Sequence, residues 1–157
     1  ELVEIDEFDM SSRAIFNFGH TFGHALEKST TEYLPHGIGV LLGIYIALGQ
    51  NINEYKNKDI SCQIDLLEKL LNIILLDPQL KNLNFSINKI SQNLKKDKKN
   101  INLTEVSCIL PSDFLESDWI CKKFKPIYGL KKMNMQINDC LTAVKQIASL
   151  GNITFLS

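Results

Sequence analysis

The sequence has no long apolar run, no C-x-x-C pair, no G-x-G-x-x-G and almost no net charge. Each absence removes a class of protein. A helix that crosses a bilayer needs about 20 consecutive apolar residues. The most apolar stretch, from Gly37 to Leu48, is shorter and is interrupted by Gly39 and Gly43. It therefore reads as a buried helix, not a membrane span. A formal net charge of -1 gives no electrostatic case for nucleic acid as a partner. The missing glycine fingerprint means that no nucleotide-binding half is legible in this stretch. Cys62, Cys108, Cys121 and Cys140 are scattered, which reads as buried thiols in a reducing, cytoplasmic setting. No secretory leader, internal repeat or low-complexity linker is visible. A chain of 157 residues is expected to form one domain with a real core.

Histidine is also scarce, and its placement is uneven. All three histidines, His20, His24 and His36, fall within a short part of the chain. Treated as a helix, the stretch from Arg13 to Glu27 places Arg13, Asn17, His20 and His24 within a sector of roughly 60°. Ile15, Phe18, Phe22 and Leu26 fall on the opposite side. A merely solvated face is usually rich in Lys and Glu, whereas this stripe carries directional groups. Gly19 and Gly23 lie on a third side, one turn apart. Each lowers helix stability by about 1 kcal/mol relative to alanine, so something is expected to approach the backbone there. On spacing alone, His20 and His24 would form a bidentate metal pair, with His36 as a third nitrogen.

The run Asn17-Phe18-Gly19-His20-Thr21-Phe22-Gly23-His24-Ala25-Leu26-Glu27, followed by His36-Gly37, resembles the signature of the 3-dehydroquinate synthase and sugar phosphate cyclase family. The resemblance is dense from Arg13 to about Gly43. It continues weakly at Lys95-Lys96-Asp97-Lys98-Lys99-Asn100, which is similar to the family's Asp-Lys-Lys segment.

The resemblance implies a division of labour that spacing alone does not. It makes His20 and His36 metal ligands, with zinc the expected ion and the third ligand a glutamate upstream of the signature. It makes His24 a substrate contact and proton carrier. Arg13, Asn17 and either or both of Lys98 and Lys99 match substrate-binding positions. It also implies NAD as cofactor, a small phosphorylated sugar-acid as substrate and a homodimer as assembly. The chain then corresponds to a mainly helical C-terminal domain with a few short strands, covering 1–157. Its N-terminal nucleotide-binding partner domain would lie elsewhere. By this resemblance the isolated chain is expected to be inactive.

The sequence departs from the family pattern at three places. Asp9 stands where a glutamate is usual, and Ser11-Ser12 precede Arg13 where a glycine is common. Most tellingly, Ile38-Gly39 replace the usual Glu-Ala after His-Gly, which removes a carboxylate near a metal ligand. That change keeps two other enzymatic readings open, another sugar phosphate cyclase and a metal-dependent polyol or alcohol dehydrogenase of the same broad fold. A third reading is an inactive binding or structural module.

The rest of the chain reads as scaffold. Ile60 to Leu76 has a helical core pattern that includes Ile64, Leu66, Leu67, Leu70, Leu71, Ile73 and Ile74, ended by Asp77-Pro78. Asn51 to Asp59 reads as a helix end and loop. Ser86 should cap a helix running to Lys98, with Ile87, Ile90 and Leu94 inward. Lysines at its end would also suit the negative pole of the helix dipole without any ligand. A short strand is expected at Val106 to Leu110, irregular chain from Ser112 to Lys132, and an amphipathic helix from Met135 to Leu150 stopped by Gly151. Ile153 to Leu156 should form a short strand.

Overall fold

The computed structural model describes residues 17–50, 58–80, 82–96, 104–112 and 129–156. Five α-helices dominate these residues, as the sequence leads one to expect. Helix α1 runs His20–Glu27, α2 His36–Gly49 and α3 Lys58–Ile74. A 3-10 turn at Pro78–Leu80 leads into strand β1, Leu83–Ser86, and helix α4, Ile87–Lys95. Strands β2, Glu105–Ser112, and β3, Gly129–Gln136, precede α5, Ile137–Val144. A 3-10 segment at Lys145–Leu150 and strand β4, Ile153–Leu156, follow.

The first helix is shorter than the sequence pattern implies. Gly19 has φ +78° and forms the N-cap of α1, so no single helix joins Asn17 to His24. A left-handed residue ends the helical hydrogen-bond ladder, and glycine adopts that conformation at little cost. Asn17 consequently lies in the turn before α1, while His20 opens the helix. Phe22, Ala25 and Leu26 form its buried face.

Helix α2 packs against α1 backbone to backbone. A Cβ placed on Gly23 would stand 2.8 Å from the Gly39 carbonyl oxygen, and one on Gly43 only 2.8 Å from the Gly23 nitrogen. This is the close approach that two glycines one turn apart foretold. Leu42, Ile46, Ala47 and Leu48 then enter the core. Fully burying one such aliphatic or aromatic side chain stabilises the fold by roughly 1.5–3 kcal/mol.

Helix α3 confirms the expected periodicity but buries only part of it. Its apolar residues form two stripes, and among the described residues only one has a neighbour. Ile64 and Leu71 are buried, with Leu67 and Ile74 packed beside them. Leu66, Leu70 and Ile73 are 68%, 45% and 67% exposed, on the opposite side of the helix from Ile64 and Leu71. The pattern of apolar residues could not distinguish a packed stripe from a free one.

Ser86 caps α4 as its residue type dictates, its side chain accepting from the Lys89 N–H at 3.4 Å. That helix ends at Lys95, short of Lys98. The expected strand at Val106 to Leu110 extends to β2. It pairs antiparallel with β3, whose Lys- and Met-containing sequence carries no strand signal of its own. Gly129 to Lys132 therefore belongs to a strand, not to irregular chain. The expected helix from Met135 starts instead at Ile137 and tightens to 3-10 geometry after Val144. Val144, Ile147 and Leu150 are all buried, and their three-residue spacing suits a 3-10 helix better than an α-helix. Gly151, at φ +60°, ends it. Strand β4 pairs parallel with β1, an element the sequence reading missed. Asn82 and Asn152, both at positive φ, immediately precede these two strands.

Cys108 and Cys140 are buried, and burial pushes both thiols up to about 12. Cys62 is exposed, contrary to the expectation of buried thiols throughout. No helix among the described residues is long and apolar enough to cross a membrane.

Candidate functional site

The three histidines converge because α1 and α2 cross at their glycines. His20 and His24 stand one turn apart on α1, and His36 is the first residue of α2. The ring centroids of His20 and His24 are 5.6 Å apart, as are those of His20 and His36. His24 and His36 are 5.4 Å apart, with their planes 28° from parallel. Each ring thus lies within reach of the other two, although His24 and His36 are twelve positions apart in sequence.

The rings differ in what holds them. The Nδ1 of His20 lies 3.3 Å from the Phe18 carbonyl oxygen, in the turn closed by Gly19. The Nδ1 of His36 lies 2.9 Å from Glu27 Oε1. In both rings Nε2 receives no hydrogen bond among the described residues. A metal-ligating histidine characteristically donates its second ring N–H to a carbonyl or carboxylate. No hydrogen bond reaches the His24 ring among the described residues. Burial lowers the His24 pKa first; the neighbouring His20, His36 and Lys28 lower it further, while Glu27 opposes them. Its imidazole is therefore held toward the neutral form, with a lone pair available.

Glu27 is the member of this site that the sequence reading passed over. It closes α1 three residues after His24, on the same side of the helix. That spacing was the available signal. One ligand atom from each of His24, Glu27 and His36 lies within 4.8 Å of the others. Ligands sharing a zinc ion sit about 2.0–2.2 Å from it, so these atoms need to close by only about an ångström to share one. Imidazole nitrogens and a carboxylate oxygen are the donor types zinc takes, and the cluster fits such an ion chemically.

The loop that leads into His36 is fastened by Glu32. Its carboxylate accepts from Thr30 Oγ1 and, at 3.2 Å, from Asn84 Nδ2 on β1. Those hydrogen bonds hold its carboxyl down at about 2. Ser29 ties the same region to the core: its hydroxyl donates to the Ala25 carbonyl at 2.6 Å, and its own carbonyl accepts from the Ser86 N–H at 3.0 Å.

The remaining expected residues are placed less fully. Asn17 is half-buried in the turn three residues before His20. Arg13, Lys98 and Lys99 lie outside the described residues, as do Asp9 and Ser11-Ser12. Ile38 is half-buried and packs against the core beside His36. Gly39 faces Glu27: a Cβ there would stand 2.6 Å from Glu27 Oε1.

The family model described as 3-dehydroquinate synthase C-terminal matches residues 1–100. A 3-dehydroquinate synthase of Pelagibacter ubique is 39% identical over 117 residues, covering 70% of this chain and 30% of the relative. That of Natranaerobius thermophilus is 34% identical over 125 residues, covering 78% and 32%. That of Syntrophotalea carbinolica is 31% identical over 99 residues, covering 62% and 26%. The chain thus spans about 30% of the length of the curated relatives it matches.

Proposed function

Because the chain belongs to the 3-dehydroquinate synthase C-terminal family, we propose that it is the metal- and substrate-binding part of a 3-dehydroquinate synthase. The intact enzyme would convert a seven-carbon keto-acid phosphate into a carbocycle with loss of phosphate, in the shikimate route to aromatic amino acids. It would be a cytoplasmic lyase, with NAD held by an N-terminal nucleotide-binding domain and the assembly a homodimer. The isolated chain would have no activity. When bound, NAD supplies transient redox chemistry, and a zinc ion supplies Lewis-acid polarisation and orientation.

This chain's own residues divide the remaining work. His20 and His36 would hold the ion through Nε2, their Nδ1 atoms being engaged by Phe18 and Glu27. His24 would meet the substrate and carry a proton at a ring nitrogen. An imidazole is suited to that task because its ordinary pKa of about 6.5 lies close to neutrality. Arg13, Asn17, Lys98 and Lys99 would bind the substrate's anionic groups and orient it; guanidinium and ammonium groups are the natural partners of phosphate and carboxylate.

One observation carries the reading: three imidazoles are gathered within 5.6 Å, and an acceptor orients two of them. The test is phosphate release by the intact protein given NAD, zinc and the seven-carbon keto-acid phosphate. Wild type should release phosphate, and His24→Ala should lower kcat by about 100-fold or more, the scale of one acid–base group. NADH formation without phosphate release would contradict the cyclase reading and favour a dehydrogenase. Release from a different sugar phosphate alone would move the protein to another cyclase.

A further inference from the structure

Glu27 stands at an electrostatically awkward place for a carboxylate. It is the last residue of α1, where the helix dipole presents its negative pole. No lysine or arginine forms an ion pair with it among the described residues; its partner there is His36. The carboxylate instead faces the first turn of α2, where the dipole is positive and the His36 ring begins the helix. The contact joins residues nine apart in sequence across the gap between two helices, at 2.9 Å. The His36 side chain is 60% exposed, so packing alone does not fix its ring. Glu27 is better held, at 21% exposure.

Gly39 makes this arrangement possible. An added Cβ would meet Glu27 Oε1 at 2.6 Å and Cγ at 3.0 Å. The space is therefore shaped around the Glu27 side chain.

We propose that Glu27 is a positioning residue. It accepts a hydrogen bond from the Nδ1–H of His36, fixes that ring's tautomer and orientation, and so presents Nε2 to a divalent metal. The proposal rests on the reading of His36 as a metal ligand, but its geometric half is measurable without metal. Residues that orient a metal-binding histidine in this way characteristically change affinity 10- to 100-fold when removed.

The experiment uses the intact protein and two readouts. The first is the His36 tautomer in metal-free protein, from long-range 15N–1H spectra at pH 8. The second is zinc affinity, from competition with a chromophoric chelator. Wild type should hold His36 as the Nδ1–H tautomer. Glu27→Ala should release it to the mixture of a free imidazole and weaken zinc binding 10- to 100-fold. Glu27→Gln keeps an acceptor in place and should weaken binding by less than Glu27→Ala does. Gly39→Ala leaves both partners intact but pushes the carboxylate away, and should shift the tautomer as Glu27→Ala does, which keeps the test open if Glu27→Ala fails to fold. An unchanged tautomer in both Glu27→Ala and Gly39→Ala would overturn the proposal. So would complete loss of zinc in Glu27→Gln with the tautomer retained, since that would make Glu27 itself a ligand. A tautomer shift in a protein whose wild type binds no zinc would instead sink the metal reading and leave the pairing standing.

Discussion

Gly43 of α2 lies directly on the backbone of Gly19, so that a Cβ at position 43 would stand 2.0 Å from the Gly19 carbonyl oxygen. The obstacle is main chain and cannot turn aside like the end of a side chain. Gly19 is also the left-handed N-cap from which His20 departs. The helix crossing and the histidine cluster are therefore one structural feature.

Substituting Gly43→Ala should force α1 and α2 apart. Overpacking of a close contact costs typically about 1–3 kcal/mol, and a backbone obstacle puts this site toward the upper end. For a domain of this size that corresponds to a fall of roughly 4–12 °C in Tm. Thermal unfolding by circular dichroism checks it. Gly37→Ala, where a Cβ would meet nothing within 4 Å, is the matched control and should change Tm little.

Glu32 gives the fold a defined acid sensitivity. Hydrogen bonds from Thr30 and Asn84 lower its pKa from 4.5 to about 2 in the folded protein. A carboxyl whose folded pKa is depressed stabilises the fold fully above its unfolded pKa and loses that contribution as pH falls through its folded pKa. Wild type should thus exceed Glu32→Gln in Tm at pH 7, with the gap shrinking from about pH 5 downward and closing near pH 2. A gap that stays constant with pH would mean that the contact acts through shape alone. The side chain lies near the surface, so the difference should be modest.

The thiols should separate by reactivity. Cys62 is exposed, whereas Cys108 and Cys140 are buried with thiols near 12. The thiolate is the reacting species, so maleimide at pH 7.5 should label Cys62 promptly and the buried pair only after unfolding. Peptide mapping by mass spectrometry checks each site.

How much of this was legible in the sequence depends on what kind of order each residue obeys. Ser86 and Gly151 obey local backbone chemistry: Ser86 begins α4, and Gly151 ends the 3-10 segment, where the sequence says they should. Gly19 and Gly23 announced a close approach, but not that Gly39 and Gly43 would be on the other side of it. Leu66, Leu70 and Ile73 repeat as regularly as core residues, yet they face away, because periodicity reports amphipathic shape without naming a neighbour. Strand β3 was illegible because its pairing with β2, not its composition, makes it a strand. At the site, the signature marked the three histidines. Glu27 was overlooked because its partner comes from the next helix, a contact that a single helical wheel does not contain.

The division of labour among the histidines is the central claim, and metal content tests it most directly. The intact protein would be loaded with zinc, dialysed and measured by inductively coupled plasma mass spectrometry, beside His20→Ala, His24→Ala and His36→Ala. The expected result is that His20→Ala and His36→Ala lose the ion, while His24→Ala keeps it and loses turnover. The contradicting result is zinc retained by His20→Ala and lost by His24→Ala, which would place the ion among His24, Glu27 and His36 instead.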